Sequence, residues 1–511
     1  MDRSVRLSAL ASELGIQIAR ADDVVIGGVV YDSRAVEPGF LFAALVGGDA
    51  DGHDYAAEAV SRGAAAVLAE RPLPIPAPVL IVPDSRAALA PLAAAFYGHP
   101  SRGLGVIGIT GTDGKTTTSY LVDSILRRAG RRTGMVGTVS LRVGDEVLTH
   151  GTRQTTPESA DIQRYLRRMA DAGVDWAVLE ATSHGLDLHR LDGVRFGVGA
   201  VTNITHEHLE HHKTIAAYRR AKAILFERVG AVGGVAVINA DDPGAAEMVP
   251  YAKGATIVRF GMDREAEVTA SDVRLSATGS RFRLDAFGER VAIRLPYIGG
   301  FNVANALCAA GVALAAGMEL AQIGEGLAQA PPVPGRMARV DEGQPFSVVI
   351  DYAHTPESLR KVLGLLRTLT PGGRLILVMG SAGERDVEKR AVQGAAATEL
   401  ADFSVFTSED PRFEDPEAIV AEIAAGAVAV GGKEGTTFAR LVDREQAVER
   451  AIAMAKPGDC VLLAGKGHEG SIIWGREKRP WDEDAAARRA LAARGYHGGP
   501  PPNVPSNDIS P

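Results

Sequence analysis

The chain has 511 residues, of which 46% are hydrophobic and 23% charged, so it is long enough for several hydrophobic cores and is not disordered as a whole. Its formal net charge of −8 argues against broad, sequence-independent attraction to nucleic acid, while leaving room for a local basic pocket that binds an anionic substrate. No stretch approaches the roughly 20 apolar residues of a membrane-spanning helix, so we expect no membrane insertion.

The two cysteines, Cys308 and Cys460, lie far apart in apolar surroundings. We interpret them as reduced core thiols, which indicates a reducing compartment. The first residues, MDRSVRLSALASELG, contain no apolar segment followed by a cleavage site. We therefore expect a cytoplasmic protein.

Two stretches of the sequence have the composition of domain boundaries. Residues 71–102 contain a proline-rich connection, a short strand and a helix before a glycine-rich segment, and prolines interrupt an alanine-rich helical pattern in APPVPGRMARV, residues 330–340. The sequence thus predicts domains at 1–102, 103–334 and 335–490. Residues 491–511, which end in a run rich in Pro, Gly, Asn and Ser, are predicted to form a disordered tail.

The second and third domains alternate short β-branched runs with helical patterns. The runs are GVIGIT, DWAVLEA, GVGAVTN and GVAVINA in the second domain, and FSVVIDYAH, RLILVMG, FSVFTS and CVLLAGKG in the third. Near-continuous apolar runs of this length, separated by helices, are typical of parallel strands covered on both faces. Both domains are therefore predicted to be doubly wound α/β domains.

The stretch GITGTDGKTTT, residues 108–118, follows a predicted buried strand and begins a predicted helix that ends at Gly130. A helix start of this kind directs free N–H groups at an anion, and Lys115 and Thr116 are the residue types that contact a phosphate and its Mg²⁺. The spacing departs from G-x-x-x-x-G-K-[ST], because Ile109 stands where the first glycine is expected. A surface turn with a lysine is the alternative, which the flanking strand and helix disfavour.

Two further groups of polar residues follow predicted strands. Glu180 ends WAVLE, and a carboxylate at the carboxyl end of a strand beside a phosphate loop is a natural Mg²⁺ ligand, the alternative being a helix-capping or solvated glutamate. The stretch NITHEHLEHH, residues 203–212, contains four histidines. It is open to interpretation as a zinc site or as a solvated polar turn.

Taken together, these motifs resemble those of the Mur ligase family, and within it the MurE type, which adds the third amino acid to the UDP-linked peptidoglycan precursor. The resemblance extends from YDSRAVEPGFLFAAL to AGKGHE and WDED and leaves out the tail. In this family the phosphate loop has the pattern G-T-x-G-K-[ST], which here spans Gly111 to Thr116. This shorter pattern accounts for the departure from G-x-x-x-x-G-K-[ST]. The resemblance implies an α/β protein of three domains: a smaller N-terminal domain that binds UDP, a central P-loop-type ATPase domain and a C-terminal Rossmann-like domain.

The resemblance also implies the substrate-binding residues of the first two domains and of the hinge. Those for ATP are Gly111, Thr112, Asp113, Gly114, Lys115, Thr116, Thr117, Asn302, Asn305, Arg336 and Asp351. Those for the UDP-sugar peptide are Ser33, Arg34, His53, Thr155, Thr156, Thr182 and Arg190, with His184 in the same segment.

Two Mg²⁺ ions are implied as cofactors, one held by Thr116 and Glu180 and the other by His208 and Lys222. Lys222 would be carbamylated, which turns an amine into an acidic ligand for the metal. Without the resemblance, Lys222 would be interpreted as an ordinary surface lysine. Zinc at the histidine tract remains a minor alternative, and Glu207 and Glu210 stand where the family usually has aspartates.

The reaction implied is transfer of the ATP γ-phosphoryl group to the D-glutamate side-chain carboxylate, followed by attack of an amine on the acyl phosphate. Lys115, Lys222, His208 and Arg336 are the predicted catalytic residues. The amino-acid site is predicted from Arg385, Glu409, Asp410, Pro411, Arg412, Gly465 and Glu469, with Tyr352, His354 and Lys389 in neighbouring motifs.

The stretch TSEDPRFEDP, residues 407–416, matches neither the D-N-P-R of the family's meso-diaminopimelate enzymes nor the D-D-P-R of many lysine enzymes. Arg412 favours a second carboxylate on the amino acid, whereas Asp410 favours a bare ammonium. The sequence slightly favours L-lysine or L-ornithine over meso-diaminopimelate.

Two rival functions remain open. Folylpolyglutamate synthase shares the central fold and the acyl-phosphate chemistry but lacks a first domain with the DSR…PG.LF pattern. A non-catalytic nucleotide-binding protein is the other rival. We expect a monomer that acts on small molecules.

Overall fold

A computed structural model of the chain describes residues 3–17, 19, 22–48, 50–148, 154–205, 209–276 and 278–498. The chain divides into two compact units. The first comprises residues 1–274, 280–296 and 300–330, and the second comprises residues 275–279, 297–299 and 331 onwards.

The first unit begins with a small α/β layer built on a four-stranded parallel sheet of order β3-β4-β5-β6. Its two faces are covered by separate apolar clusters, so the short strands are buried on both sides. Short 3₁₀ helices occupy Ser33–Ala35, Gly52–Tyr55 and Pro100–Arg102. The remaining elements are β1 Val5–Arg6, α1 Leu7–Glu13, β2 Val25–Ile26, β3 Gly28–Val30, β4 Phe40–Ala43, α2 Ala56–Ser61, β5 Ala66–Ala69, β6 Val79–Ile81 and α3 Ser85–Phe96.

The rest of the first unit is an eleven-stranded sheet of order β10-β9-β8-β11-β7-β12-β13-β14-β15-β16-β17. Strands β8, β11, β7, β12, β13 and β14 are parallel, as the apolar runs predict, and antiparallel pairs lie at both ends. The elements are β7 Gly105–Thr110, α4 Lys115–Arg128, β8 Thr133–Val136, β9 Leu141–Val143, β10 Glu146–Leu148, α5 Ser159–Asp171, β11 Trp176–Glu180, α6 Ser183–Asp187, β12 Val198–Val201, α7 Leu209–His212, α8 Ile215–Ala231, β13 Val235–Asn239, α9 Pro243–Ala246, β14 Thr256–Gly261, β15 Val268–Ser276, β16 Gly279–Ala286, β17 Glu289–Leu295, α10 Gly300–Ala315 and α11 Leu320–Ala328.

The position of the candidate site follows from this strand order. Strand β7 lies between β11 and β12, and the three run in parallel. Their carboxyl ends therefore bring the loop after Thr110, the side chain of Glu180 and the residues after Val201 to one edge of the sheet, where open α/β sheets bind ligands.

The second unit is a six-stranded sheet of order β18-β19-β23-β20-β21-β22, parallel except for β18. One apolar cluster covers each face, which is the doubly wound arrangement predicted from the sequence. The elements are β18 Ala338–Arg339, β19 Ser347–Asp351, α12 Pro356–Leu369, β20 Leu375–Met379, α13 Glu388–Leu400, β21 Phe403–Phe406, α14 Pro416–Ala429, β22 Phe438–Arg440, α15 Arg444–Met454, β23 Cys460–Ala464, β24 Ser471–Trp474, β25 Glu477–Pro480 and α16 Glu483–Ala493.

The predicted start of the tail at residue 491 falls inside α16, so the folded chain extends further than the sequence indicates. Leu491 is fully buried in the second unit, and the ring of Tyr496 packs edge-on against Phe346 with 5.9 Å between centroids. Residues 499–511 of the predicted tail lie outside the described residues. Cys308 and Cys460 are buried free thiols, as predicted.

Candidate active site

The glycine loop connects β7 to α4, as predicted. Gly111 and Gly114 both have positive φ, at 151° and 85°. A Cβ atom on Gly111 would lie 1.9 Å from Thr202 Oγ1, and one on Gly114 would lie 2.3 Å from Asn305 Oδ1. Both positions therefore require glycine, for the backbone conformation and for the lack of space.

Polar groups at the end of β12 hold the loop in place. The backbone N–H of Asp113 donates to Asn203 Oδ1 at 2.9 Å, and the Thr202 hydroxyl donates to the Asp113 carbonyl at 2.5 Å. The Lys115 ammonium donates to the carbonyl oxygens of Gly111 and Thr112, both at 2.8 Å. The cation is thus centred on the loop, where a phosphate group would meet it.

Thr116 and Glu180, the predicted ligands of one Mg²⁺, are in contact. The Thr116 hydroxyl donates to Glu180 Oε2 at 3.1 Å, and the two residues are 5% and 2% exposed. Thr138 donates its backbone N–H to Oε1 at 3.0 Å and its hydroxyl to Oε2 at 2.9 Å. A buried carboxylate beside a hydroxyl is a set of hard oxygen donors that fits Mg²⁺. Thr138, which follows a strand without a recognisable motif, was missed in the sequence.

Lys222 is not a surface residue, so the interpretation of it as an ordinary surface lysine is wrong. It lies on α8 with 1% exposure, and its ammonium donates to the Gly111 carbonyl at 2.9 Å. The ammonium also lies 4.5 Å from the centroid of the Tyr218 ring, whose hydroxyl is 3.0 Å from Thr112 Oγ1. Tertiary folding therefore places this lysine on the phosphate loop. Its predicted metal partner His208 lies outside the described residues, as does Glu207, and the side chain of Glu210 is not described.

The two asparagines predicted on the adenine side lie against the same loop. Asn305 Nδ2 donates to Asn302 Oδ1 at 3.0 Å, and both residues of α10 are less than a tenth exposed. Asn305 Oδ1 is the atom that a Cβ on Gly114 would meet. Thr117, at the start of α4, is also buried.

The segments predicted to bind the muramyl peptide converge beside Glu180. The Thr156 hydroxyl donates to the Glu180 carbonyl at 2.7 Å and lies 2.9 Å from Thr182 Oγ1. Thr182 caps α6 by accepting from Gly185 N at 3.0 Å, and Thr155 Oγ1 lies 2.9 Å from Thr138 Oγ1.

Arg190, the predicted anchor for an anionic substrate group, already has a protein carboxylate as neighbour. Its Nε lies 3.0 Å from Glu158 Oε1, its Nη1 donates to the Thr156 carbonyl at 3.1 Å, and Arg86 Nη1 lies 2.5 Å from the same Glu158 oxygen. Two guanidinium groups thus share one carboxylate, which leaves the cluster with a net positive charge. Arg86 and Glu158 lie in stretches without a predicted role.

The three residues predicted near UDP differ in exposure. Ser33 is 7% exposed, whereas the Arg34 side chain is 81% exposed and pairs with Asp32. His53 is buried, with Nδ1 2.5 Å from Asp51 Oδ1 and Nε2 accepting from Glu70 N at 2.9 Å. Both ring nitrogens of His53 thus contact other residues of the protein. His53 therefore links the segments of Asp51 and Glu70 and has no ring nitrogen left for a ligand.

In the second unit, the turn that contains Arg336 is joined to the end of β19. Asp351 accepts from Met337 N and Ala353 N, both at 2.8 Å, so this predicted ATP-binding carboxylate braces the turn. The guanidinium of Arg336 lies 4.7 Å from the centroid of the Tyr352 ring. Its Nε is buried and has no hydrogen-bond partner in the part of the chain that the structure describes.

The predicted amino-acid residues surround a buried lysine that the sequence did not single out. Lys466 Nζ lies 2.9 Å from Asp410 Oδ1 and 2.5 Å from Glu469 Oε2, and Asp410 also accepts from Ile473 N at 2.9 Å. Burial raises the pKa of Glu409 to about 7, although Lys389 and Lys466 oppose the shift. A Cβ on Gly465, which has a φ of 100°, would lie 3.0 Å from Glu409 Oε2.

Arg412 and Arg385 differ in burial and in their contacts with the rest of the second unit. Arg412 has a φ of 54° and donates its backbone N–H to Ile473 O at 2.9 Å. Its Nε is buried without a hydrogen-bond partner among the described residues. Pro411 is buried beside it, whereas Arg385 is exposed.

A buried ion pair between Arg444 and Glu483 contacts the backbone of two loops of this site. Arg444 donates to both carboxylate oxygens of Glu483, at 2.9 and 2.7 Å, and to the carbonyl oxygens of Ser408 and Ala464. These two carbonyls immediately precede Glu409 and Gly465. Glu483, one of the three acidic residues of WDED, therefore positions both loops of the site through Arg444.

The sequence and the fold both match known proteins. The Mur ligase family catalytic domain matches residues 25–97, the Mur ligase middle domain residues 109–313, and the Mur ligase glutamate ligase domain residues 335–467.

Among the described helices, none has the length and apolar character needed to cross a membrane.

Relatives match over almost the full length. A UDP-N-acetylmuramyl-tripeptide synthetase of Roseiflexus sp. (strain RS-1) is 49% identical over 93% of this chain and 96% of its own. A UDP-N-acetylmuramoyl-L-alanyl-D-glutamate–2,6-diaminopimelate ligase of Geobacillus kaustophilus is 42% identical over 96% of this chain and 100% of its own. A solved structure of a protein with that ligase name is 30% identical, with a TM-score of 0.68 over 96% of this chain and 100% of its own. The chain belongs to the Mur ligase family.

Proposed function

We propose that the protein is an ATP-dependent UDP-N-acetylmuramoyl-tripeptide synthetase. It adds a diamino acid to the D-glutamate side-chain carboxylate of UDP-N-acetylmuramoyl-L-Ala-D-Glu in peptidoglycan biosynthesis. The observation that carries the proposal is the convergence of Lys115, Thr116, Glu180 and Lys222 on one glycine loop, in a chain whose relatives of that name match over nearly their whole length.

The proposed reaction runs through an acyl phosphate. The loop N–H groups and Lys115 hold the ATP phosphates, and the ATP γ-phosphoryl group passes to the substrate carboxylate with loss of ADP. The amine then displaces phosphate and forms the amide. Both steps gather negative charge, so positioning and fixed positive charge carry catalysis, and Arg336 is proposed to supply part of that charge.

Mg²⁺ held by Thr116 and Glu180 would neutralise charge on the phosphate oxygens. We retain His208 and carbamylated Lys222 as the proposed ligands of a second Mg²⁺. The position of Lys222 supports this assignment, because a carbamate on its nitrogen would bring a carboxylate-like group to the phosphate loop.

We propose meso-diaminopimelate as the amino acid, which reverses the preference drawn from the sequence. Asp410 was expected to select a bare ammonium, but Lys466 already lies 2.9 Å from its Oδ1. The buried Nε of Arg412 has no hydrogen-bond partner within the described ranges and suits a substrate carboxylate. The diaminopimelate ligase name of the Geobacillus kaustophilus relative supports the same choice.

The test is phosphate release from ATP with UDP-N-acetylmuramoyl-L-Ala-D-Glu and each of meso-diaminopimelate, L-lysine and L-ornithine. We expect release with diaminopimelate. Release with lysine alone would overturn the choice of amino acid, and turnover that requires a folate would favour folylpolyglutamate synthase. No turnover with any substrate would favour the non-catalytic alternative. We further propose a cytoplasmic monomer.

A further inference from the structure

Helices α6 and α7 bring together one carboxylate and two imidazoles that the proposed reaction does not use. Asp187 is the last residue of α6, and His211 and His212 are the last two of α7. Asp187 Oδ2 lies 2.8 Å from His211 Nε2 and 4.0 Å from His212 Nδ1. One potential ligand atom from each residue lies within 4.8 Å of the other two.

This spacing is close to that of a transition-metal site. Zn–N and Zn–O bonds of about 2.0–2.1 Å in a tetrahedron place neighbouring ligand atoms about 3.3 Å apart. Binding of a metal ion would therefore bring Asp187 and His212 closer together and move Asp187 and His211 slightly apart, which small side-chain rotations allow. Two imidazole nitrogens and one carboxylate oxygen favour Zn²⁺ or a similar ion over Mg²⁺, which prefers oxygen. The pair of Thr116 and Glu180 offers oxygen alone and so has a different metal preference.

The rings are also held by their neighbours. The His184 ring lies 4.3 Å from the His211 ring and 5.4 Å from the His212 ring, and the Tyr218 ring lies 5.4 Å from the His212 ring. The His212 side chain is only 2% exposed, whereas that of Asp187 is 44% exposed. The cluster therefore has a fixed, buried side and a side open to solvent, through which an ion can enter.

We propose that Asp187, His211 and His212 form a binding site for one Zn²⁺-class ion per chain, with a water molecule in the fourth position. Three protein ligands and one open position are typical of zinc sites that exchange a ligand. None of the three residues is among the proposed Mg²⁺ ligands, which are Thr116, Glu180, His208 and Lys222. The proposal rests on the geometry of α6 and α7 and not on the identity of the ligase substrates.

The protein contains a matched control for the simpler alternative, in which Asp187 and His211 are only a hydrogen-bonded pair. His189 Nδ1 lies 2.9 Å from Asp192 Oδ2, which is a His–Asp pair of nearly the same length. Neither residue belongs to the group of potential metal ligands found in the described part of the chain. This pair has no second imidazole, and its carboxylate also pairs with Arg228, so it should bind Zn²⁺ weakly.

The experiment is calorimetric titration of the metal-free full-length protein with Zn²⁺ in excess Mg²⁺, together with the visible absorption of bound Co²⁺. We expect one Zn²⁺ per chain and the intense Co²⁺ spectrum of a four-coordinate site. His211→Phe and Asp187→Asn should each weaken Zn²⁺ binding at least about 100-fold, beyond the usual effect of losing a residue that only supports a ligand. His189→Phe should bind as the wild type does.

Thermal unfolding without metal verifies that each variant is folded, and added Zn²⁺ should raise the melting temperature of the wild type and of His189→Phe only. Wild-type affinity in His211→Phe would overturn the proposal, because the ion would then be held elsewhere. Failure of the wild type to bind Zn²⁺ more tightly than Asp187→Asn does would overturn it as well. Neither outcome depends on ligase activity, so the proposed function is tested separately.

Discussion

The ammonium group of Lys222 donates a hydrogen bond to the carbonyl oxygen of Gly111, at 2.9 Å. These residues are 111 positions apart in the chain, and the contact places a buried cation on the loop proposed to hold the ATP phosphates. Burying an ammonium group costs free energy unless polar groups surround it. The burial of Lys222 beside the loop therefore indicates a functional role for this residue.

We therefore expect Lys222→Ala to lower kcat at least about 100-fold, the scale of losing one preorganised electrostatic group. Lys222→Arg should be equally inactive, because a guanidinium keeps the positive charge but does not form the carbamate that the proposal requires. Lys253→Ala, at an exposed position of the same unit, is the control and should retain wild-type activity. Full activity in Lys222→Arg would show that a simple cation suffices and would contradict the carbamate.

Glu180→Gln tests the first Mg²⁺ site. The substitution keeps the shape of the side chain but replaces one ligand oxygen with an amide nitrogen, so we expect a loss of at least about 100-fold in kcat and a higher Mg²⁺ requirement. Thr138→Val removes a hydrogen bond to Glu180 and leaves the ligand in place, so it should cost only about 10-fold. The measurement is initial rate against Mg²⁺ concentration. An unchanged Mg²⁺ dependence in Glu180→Gln would rule out this carboxylate as a ligand.

Arg412→Met tests the proposed diaminopimelate contact. Loss of a charge-assisted hydrogen bond to the substrate carboxylate should lower kcat/KM for meso-diaminopimelate about 10- to 100-fold, while the KM for ATP should stay as it is. Arg385→Met, at an exposed position, is the matched comparison and should have the smaller effect. If both variants use diaminopimelate as the wild type does, the second carboxylate is bound elsewhere.

Glu409 should make stability depend on pH. Burial raises its pKa from 4.5 to about 7 in the folded protein, so the folded state binds more protons than the unfolded state between these values. The contribution of Glu409 to stability is therefore fully present below about pH 4.5 and is lost as the pH rises to about 7. Relative to the wild type, Glu409→Gln should gain up to about 3 kcal/mol between pH 5 and pH 8.

The measurement for Glu409 is urea denaturation of both proteins at pH 5 and pH 8, followed by a probe of the second unit such as Trp474 or Trp481 fluorescence. A difference between variant and wild type that is the same at both pH values would show that Glu409 is ionised throughout this range.

Removing one partner of the Arg444–Glu483 pair should strongly destabilise the second unit. Both side chains are buried, with 1% and 0% exposure, so Glu483→Ala leaves a buried guanidinium without its carboxylate and should cost about 3–5 kcal/mol. Glu445 pairs with Arg489 between the same two helices, α15 and α16, but these side chains are 47% and 58% exposed. Glu445→Ala should therefore cost less than about 1 kcal/mol. Equal costs in urea denaturation would contradict the argument from burial.

Much of the fold could be predicted from the sequence because its signals are local. The eight apolar runs of the second and third domains all form parallel strands, and the glycine loop lies between β7 and α4 as expected. The same holds for Thr116 and Glu180. Glu180 ends β11, and Thr116 follows the glycine loop after the adjacent parallel strand β7, so both lie at the edge of the sheet where the carboxyl ends of these strands meet.

The tertiary structure alone decided which charges compensate one another. Nothing near Lys222 in the sequence indicates that it is buried beside Gly111. Likewise, nothing near Asp410 indicates that it forms an ion pair with Lys466. The sharing of Glu158 by Arg86 and Arg190 likewise joins three separate stretches. The sequence by itself determined the strands, the helix starts and the turns that need glycine, because these depend on neighbouring residues. The electrostatic environment of each side chain depends on distant segments, so it was decided only when the chain folded.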